Sequence, residues 1–179
     1  MSRAPKKTDT PATRPAPRLR RAYYECRYGQ LHLHNAIPSG GGFDELTALL
    51  CIPGTGQTGR AFQSVLAELG HDRSVYAPDM PGTGESDAAG GASPLEAAVA
   101  ALQDFLDTMR LREIDVLALG DGGAIARQLA ALRPRQVRRV VLVAETGPGG
   151  VRPSQPLLSL TAEDAAGPRR NARIAEFLA

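Results

Sequence analysis

Histidine is scarce in this chain of 179 residues: there are three, His32, His34 and His71, and none follows position 71. A serine or aspartate nucleophile needs an imidazole to activate it or the attacking water, so such chemistry would have to use one of these rings. Cysteine is also rare, with only Cys26 and Cys51. Because no CxxC or Cys/His spacing surrounds them, a disulfide framework and a zinc ribbon are excluded, and we expect two reduced, partly buried thiols.

Long hydrophobic runs are absent as well. No apolar stretch approaches the length of a bilayer-spanning helix, and the basic segment ending at Arg21 is followed by AYYECRYGQ rather than by the apolar core of an export signal. We therefore expect a cytoplasmic protein without a membrane partner.

Positive charge is concentrated at the start of the chain. Residues 1–21 carry seven Lys or Arg against one acid, whereas the rest has a net charge of −4. This proline-rich segment has almost no large apolar side chains, so we expect a disordered tail over 1–21. The acidic remainder offers no basic face to continue a contact with nucleic acid, and we expect no such partner.

Strand and helix patterns alternate along residues 22–145. Residues 22–37 predict a hairpin, and short apolar runs at 46–52, 74–77, 114–119 and 137–144 are typical of buried parallel strands. Helical stripes lie between them, the second opened by Ser93 as N-cap, Pro94 and Glu96. This order predicts an α/β fold, a three-layer and mostly parallel sheet with flanking helices. Residues 146–179 are expected to form a linker and a short helical segment.

Two loops resemble those of the α/β-hydrolase superfamily. CIPGTGQTGRAF (51–62) is similar to the family's His-Gly turn, with Pro53 in place of the histidine, followed by Gly54 and Thr55. DMPGTGESD (79–87) resembles the Asp-x-x-Gly-x-Gly-x-Ser loop. The resemblance implies a backbone oxyanion hole that includes the Thr55 amide, and pocket loops formed by Pro53, Gly54, Asp79, Gly82, Gly84 and Ser86.

A third stretch, VLALGDGGAIARQLAALRP (116–134), is similar to the family's nucleophile elbow and the helix after it. The nucleophile commonly lies fourteen positions before the proline that ends this helix, which places Gly120 at the elbow and the Asp121 amide in the oxyanion hole. The neighbouring register puts Asp121 at the apex, resembling haloalkane dehalogenases and epoxide hydrolases, where an aspartate attacks carbon. Otherwise Asp121 is a carboxylate at a helix N-terminus.

The general base that the resemblance implies follows the last strand of the family, where this chain has no histidine. His32 and His34 alternate with leucines and are expected on the wet face of the hairpin, and no third ligand is evident for a metal site. His71 is expected at the opposite edge of the sheet. Glu145 is a match for the acid of the triad, or else a solvated strand end.

Three functions remain open. The chain is a truncated or degenerate hydrolase-family member that is not catalytic in isolation, a small-molecule or partner-binding module, or a hydrolase that uses Asp121. Dinucleotide binding through GDGGA is disfavoured because Ile125 stands where the third glycine belongs, so no cofactor is expected. If the family's last strands are lacking, the strand at 137–144 becomes an exposed edge, which predicts self-association.

Overall fold

The fold was analysed in a computed structural model that describes residues 15–40, 46–147, 150, 152–167 and 169–179. Seven strands form one sheet in the order β1-β2-β4-β3-β5-β6-β7. The strands are β1 (Arg18–Cys26), β2 (Gly29–Ile37), β3 (Ala48–Ile52), β4 (Val75–Pro78), β5 (Ile114–Leu119), β6 (Val137–Val143) and β7 (Leu157–Leu160). The pairs β1/β2 and β2/β4 are antiparallel and the others parallel, so the predicted fold class is confirmed.

Helices cover both faces of the sheet. They are α1 (Gln63–Leu69), preceded by a 3₁₀ turn (Gly59–Phe62), α2 (Pro94–Thr108), α3 (Gly122–Leu132), α4 (Ala162–Ala166) and α5 (Arg170–Leu178). Apolar side chains of α2 and α3 fill one core layer, and those of α1 and α5 fill the other. No helix among the described residues is long and apolar enough to cross a bilayer.

The helix ends follow the local signals in the sequence. The Ser93 hydroxyl caps α2 by accepting the Glu96 amide and by donating to the Glu96 carboxylate. Gly70 ends α1, and α3 stops before Pro134. Both cysteine thiols are free, and Cys51 is fully buried. Burial raises the pKa of Cys51, so this thiol is unreactive and serves only to fill space in the core.

The predicted tail boundary is wrong by four residues. Arg18–Arg21 belong to β1 and pair with β2 from Ile37 to His34, although their side chains point largely into solvent. Charged side chains are common on an edge strand because they discourage pairing with other chains, and composition alone cannot separate such a strand from a disordered arm. Residues 1–14 lie outside the described residues.

The predicted sheet edge is also corrected. β7 pairs in parallel with β6, from Val140 with Leu157 to Val143 with Leu160, so β6 is an internal strand and β7 is the edge. A four-residue strand is too short to show periodicity, which is why residues 146–179 were predicted without one. Self-association stays a prediction, now through β7.

Candidate functional site

The chain turns sharply between β5 and α3, at Gly120. Its φ of 54° lies in the left-handed region, which other residues adopt only with strain. The Gly120 amide donates to the Val143 carbonyl at 3.0 Å, which ties the bend to β6. A Cβ at Gly120 would have only Thr146 Oγ1 nearby, at 3.7 Å. The strained apex therefore has room for a side chain that Gly120 does not supply.

Asp121 follows the apex in an ordinary helical conformation, with φ of −74°. Its Oδ1 accepts a hydrogen bond from the Thr55 amide at 2.7 Å. The Thr55 side chain and then the Thr55 amide hold the pKa of this carboxyl below its usual value. Asp121 is therefore ionised at neutral pH and lies one residue past the strained position, which does not favour the register in which it is the nucleophile.

The loop after β3 packs directly against this bend. A Cβ on Gly54 would lie 2.9 Å from Asp121 Oδ1, and the Gly54 amide donates to Gln57 Oε1 at 3.2 Å. Because the Thr55 amide is bonded to Asp121, the donor predicted to stabilise a substrate oxyanion already binds a carboxylate of the protein itself. An oxyanion would have to displace that carboxylate.

An open depression lies over the bend and this loop, and we call it the elbow depression. Its volume of about 400 Å³ is within the usual range for small-molecule sites. The turns at 53–57 and 119–123 both contribute to it. Its lining residues are Gly54, Thr55, Gln57, Leu119, Gly120, Asp121, Val143, Ala144, Thr146, Ala165 and Arg170.

The remaining predicted pocket residues are not part of this lining. Pro53 is buried behind it, where its carbonyl oxygen would lie 2.6 Å from a Cβ on Gly122. Conversely, Thr146, Ala165 and Arg170 line the depression although no motif marks them. They follow β6 and belong to the segment whose path the sequence left open.

The DMPGTGESD loop forms a separate structure at the end of β4. Asp79 is 2% exposed, and its carboxylate accepts the amides of Gly59 at 2.8 Å and Glu85 at 3.1 Å. Gly84 comes so close that a Cβ there would lie 2.0 Å from Asp79 Oδ2. The Ser86 hydroxyl donates to the Asp79 carbonyl at 2.7 Å. The motif thus closes a turn around a buried carboxylate.

The histidines of β2 lie beside this carboxylate. His32 is 1% exposed, and its Nδ1 lies 2.9 Å from Asp79 Oδ2; an ionised carboxylate only accepts, so Nδ1 carries the proton. His34 is half-buried, and burial, followed by His32, lowers its pKa. The prediction that both histidines lie on a solvent-exposed face of the hairpin is wrong, because the 3₁₀ turn covers that face. A Cβ on Gly59 would lie 3.1 Å from His34 Cδ2. Asp79 adds a third side chain of a kind that binds metal ions to the two histidines. The sequence did not show that this carboxylate lies beside them.

These histidines lie on a strand that is remote from β5 and the bend at Gly120. The strands β4 and β3 lie between β2 and β5, so three inter-strand spacings of about 4.8 Å, or roughly 14 Å, separate them. The His71 Nδ1 lies 3.1 Å from the Pro15 carbonyl. Within the described part of the chain, none of the three imidazoles forms a hydrogen bond with residues of the bend.

Glu145 forms a two-point ion pair with Arg127 of α3. Its carboxylate oxygens accept from Arg127 Nε at 2.7 Å and from the terminal nitrogen at 2.8 Å, and this hydrogen bonding lowers the pKa of Glu145. A carboxylate engaged in this way neither orients a histidine nor stands free in solvent, so both predicted roles differ from what the structure shows. No motif in the sequence indicated that Arg127 of α3 would pair with Glu145.

The comparisons with known proteins agree with this fold. A family model described as alpha/beta hydrolase fold matches residues 47–169, more than half of the chain. The chain belongs to the α/β-hydrolase fold family. Among solved structures, an α/β hydrolase of Novosphingobium aromaticivorans is 25% identical with a TM-score of 0.61, covering 69% of this chain and 43% of that one.

Curated relatives of this α/β-hydrolase-fold chain include named hydrolases. A 2-hydroxymuconate semialdehyde hydrolase of Pseudomonas sp. (strain CF600) is 34% identical over 63% of this chain and 40% of its own length. A 2-hydroxy-6-oxo-2,4-heptadienoate hydrolase of Pseudomonas putida is 36% identical over 48% of this chain and 32% of its own length. The chain thus spans less than half the length of these relatives.

Proposed function

We propose that this α/β-hydrolase-fold chain binds a small polar molecule in the elbow depression and does not hydrolyse esters by itself. The observation that carries the proposal is the hydrogen bond from the Thr55 amide to Asp121 Oδ1 at 2.7 Å, beside an apex that lacks a side chain. Where a hydrolase presents a nucleophile and a free oxyanion donor, this chain presents a glycine and an occupied donor.

The chemistry of the site supports binding over turnover. Asp121 is stabilised as an anion by Thr55 and by the helix N-terminus, and such stabilisation reduces its tendency to attack an electrophile. No imidazole of the chain lies at the bend to activate water, since the nearest two are on β2. A stable carboxylate is instead a good acceptor for a ligand's N–H or O–H groups.

The lining of the depression indicates the class of ligand. Leu119 and Val143 provide apolar contact, while Gln57, Thr146 and the Asp121 carboxylate provide hydrogen-bonding groups. A few polar groups on an apolar wall are typical of sites that orient a small organic molecule. We infer a ligand that donates hydrogen bonds to Asp121.

Ester turnover is the first test of this function. With p-nitrophenyl acetate, the purified chain is expected to show no rate above a heat-denatured control, because nucleophile and base are both absent from the bend. Gly120→Ser, which restores a hydroxyl at the apex, is expected to stay inactive for lack of an imidazole. A rate that Asp121→Asn abolishes would establish Asp121 as a nucleophile and contradict the proposal.

Ligand binding is the second test, by thermal unfolding against a panel of small polyols, amines and amides. A compound at about 100 times its Kd adds roughly 2.7 kcal/mol, which is about 5–10 °C in Tm for a chain of this size. The shift should disappear in Asp121→Ala and persist in Asp107→Ala, which alters a carboxylate on α2 that pairs with Arg133. A flat panel, or a shift equal in both variants, counts against the proposal.

A further inference from the structure

A cluster of three ligand-type side chains lies outside the elbow depression, between β2 and the end of β4. One ligand atom from each of His32, His34 and Asp79 lies within 4.8 Å of the other two. The closest pair is His32 Nδ1 and Asp79 Oδ2, at 2.9 Å. The two imidazole rings are nearly perpendicular, with their centroids 5.0 Å apart.

These side chains are rigidly held before any ligand arrives. The backbones of His32 and Asp79 are joined, because the Asp79 amide donates to the His32 carbonyl at 2.9 Å. The His32 amide in turn donates to Ser86 Oγ at 2.9 Å, and the Asp79 carboxylate is fixed by the Gly59 amide. A site built on strands with hydrogen-bonded ligands loses little entropy when it binds an ion.

One polar atom of the cluster is not satisfied by the protein. His32 Nε2 is buried and has no hydrogen-bond partner in the part of the chain that the structure describes. A buried polar atom without a partner is costly, and unpaired groups of this kind in a native structure often mark a functional site or an unseen ligand. The ion proposed below binds the other ring nitrogen, Nδ1, so the proposal is carried by the three ligand atoms and their rigid placement rather than by Nε2.

We propose that His32, His34 and Asp79 form a binding site for a divalent transition metal of the zinc class, with two imidazole nitrogens and one carboxylate oxygen as ligands. Imidazole and carboxylate ligands suit Zn²⁺, and three protein ligands with one open position are a common arrangement for it. The ion takes the place of the Nδ1 proton between His32 and Asp79, and the neutral imidazole carries its one proton on Nε2 instead.

The geometry requires only small movements. Ligand atoms around a tetrahedral ion with bonds of about 2.0–2.2 Å are about 3.3 Å apart, so the widest separation in the cluster must close by roughly 1.5 Å. His34 can supply most of this movement because its ring is half-buried and, among the described residues, forms no hydrogen bond with the Asp79 carboxylate. Asp79 also supplies the negative charge that offsets the charge of the ion.

The experiment is a calorimetric titration of the full chain, stripped with a chelator, with Zn²⁺ alone, followed by Co²⁺ absorption to report the coordination number. We expect one ion per chain and a visible spectrum typical of tetrahedral Co²⁺. His34→Ala removes one ligand and leaves the contact between His32 and Asp79 in place, so affinity should fall by about tenfold or more. His71→Ala is the matched control, since it removes the histidine that lies outside the cluster, and it should bind as the unaltered chain does.

Two results would overturn the proposal. One is the absence of stoichiometric binding of either ion by the folded chain. The other is equal affinity in the unaltered chain and in His34→Ala, which would place the ion elsewhere. Circular dichroism of each variant shows that the fold is retained, and the spectroscopic readout does not depend on the ligand proposed for the elbow depression.

Discussion

Asp79→Ala is expected to lower the free energy of unfolding by about 3–5 kcal/mol, because a buried donor left without its acceptor costs about 1–3 kcal/mol. The substitution leaves three donors without an acceptor: the amides of Gly59 and Glu85 and the ring of His32. All three donors belong to segments that converge on the end of β4, so we expect one substitution to weaken all of these segments together. Urea unfolding followed by circular dichroism measures it.

The matched control is Asp87→Ala in the same loop. Asp87 is exposed and accepts the Gln30 amide at 2.8 Å, so its removal should cost only about 1 kcal/mol, as expected for an ordinary hydrogen bond. Equal effects of the two substitutions would mean that the Asp79 cluster does not hold the loop.

The Asp79 carboxyl also makes the free energy of unfolding depend on pH. Burial raises the pKa of Asp79, but the amides of Glu85 and Gly59 and the contact with His32 together lower it below its ordinary value. Because the folded pKa is below the unfolded one, the stabilisation is fully present above about pH 4. It is lost as the pH falls through the lower, folded pKa. Asp79→Asn should remove this part of the acid sensitivity, which unfolding curves across that pH range would detect.

Asp115→Ala is expected to be as damaging, with a loss of about 3–5 kcal/mol. Asp115 of β5 is fully buried and accepts Arg138 Nε at 2.9 Å and a terminal nitrogen at 2.7 Å. Arg73, only 1% exposed, lies 3.5 Å from the same carboxylate. Removing Asp115 leaves the Arg73 guanidinium buried without its counter-charge, which is the costly part of the change.

The damage should extend to the last helix. Arg138 also donates to the Leu178 carbonyl at 2.7 Å, so the Asp115 network positions the C-terminal end of α5. Hydrogen exchange of α5 should therefore quicken in the variant. Asp107→Ala is the control, because its pair with Arg133 is half-exposed and such pairs contribute about 1 kcal/mol or less. A loss of similar size in both variants would refute the buried-charge argument.

The parts of the fold that local chemistry controls were predictable. Ser93, Pro94 and Glu96 mark the start of α2 because a cap is a contact between near neighbours. The buried strands are visible because each is a run of apolar residues. By contrast, β1 and β7 depend on pairing with β2 and β6, and their own composition resembles that of a loop.

The sequence by itself determined that the chain has an α/β fold with loops that resemble those of the α/β-hydrolase superfamily, that its elbow apex is a glycine and that no histidine follows the elbow. Those are facts of residue identity and periodicity, which act locally along the chain. Only the tertiary structure decided that Asp121 bonds to the Thr55 amide, that Glu145 pairs with Arg127 and that His32 is buried against Asp79. Each of these contacts joins residues from separate segments, and a side chain's partners there depend on how the strands and loops are brought together.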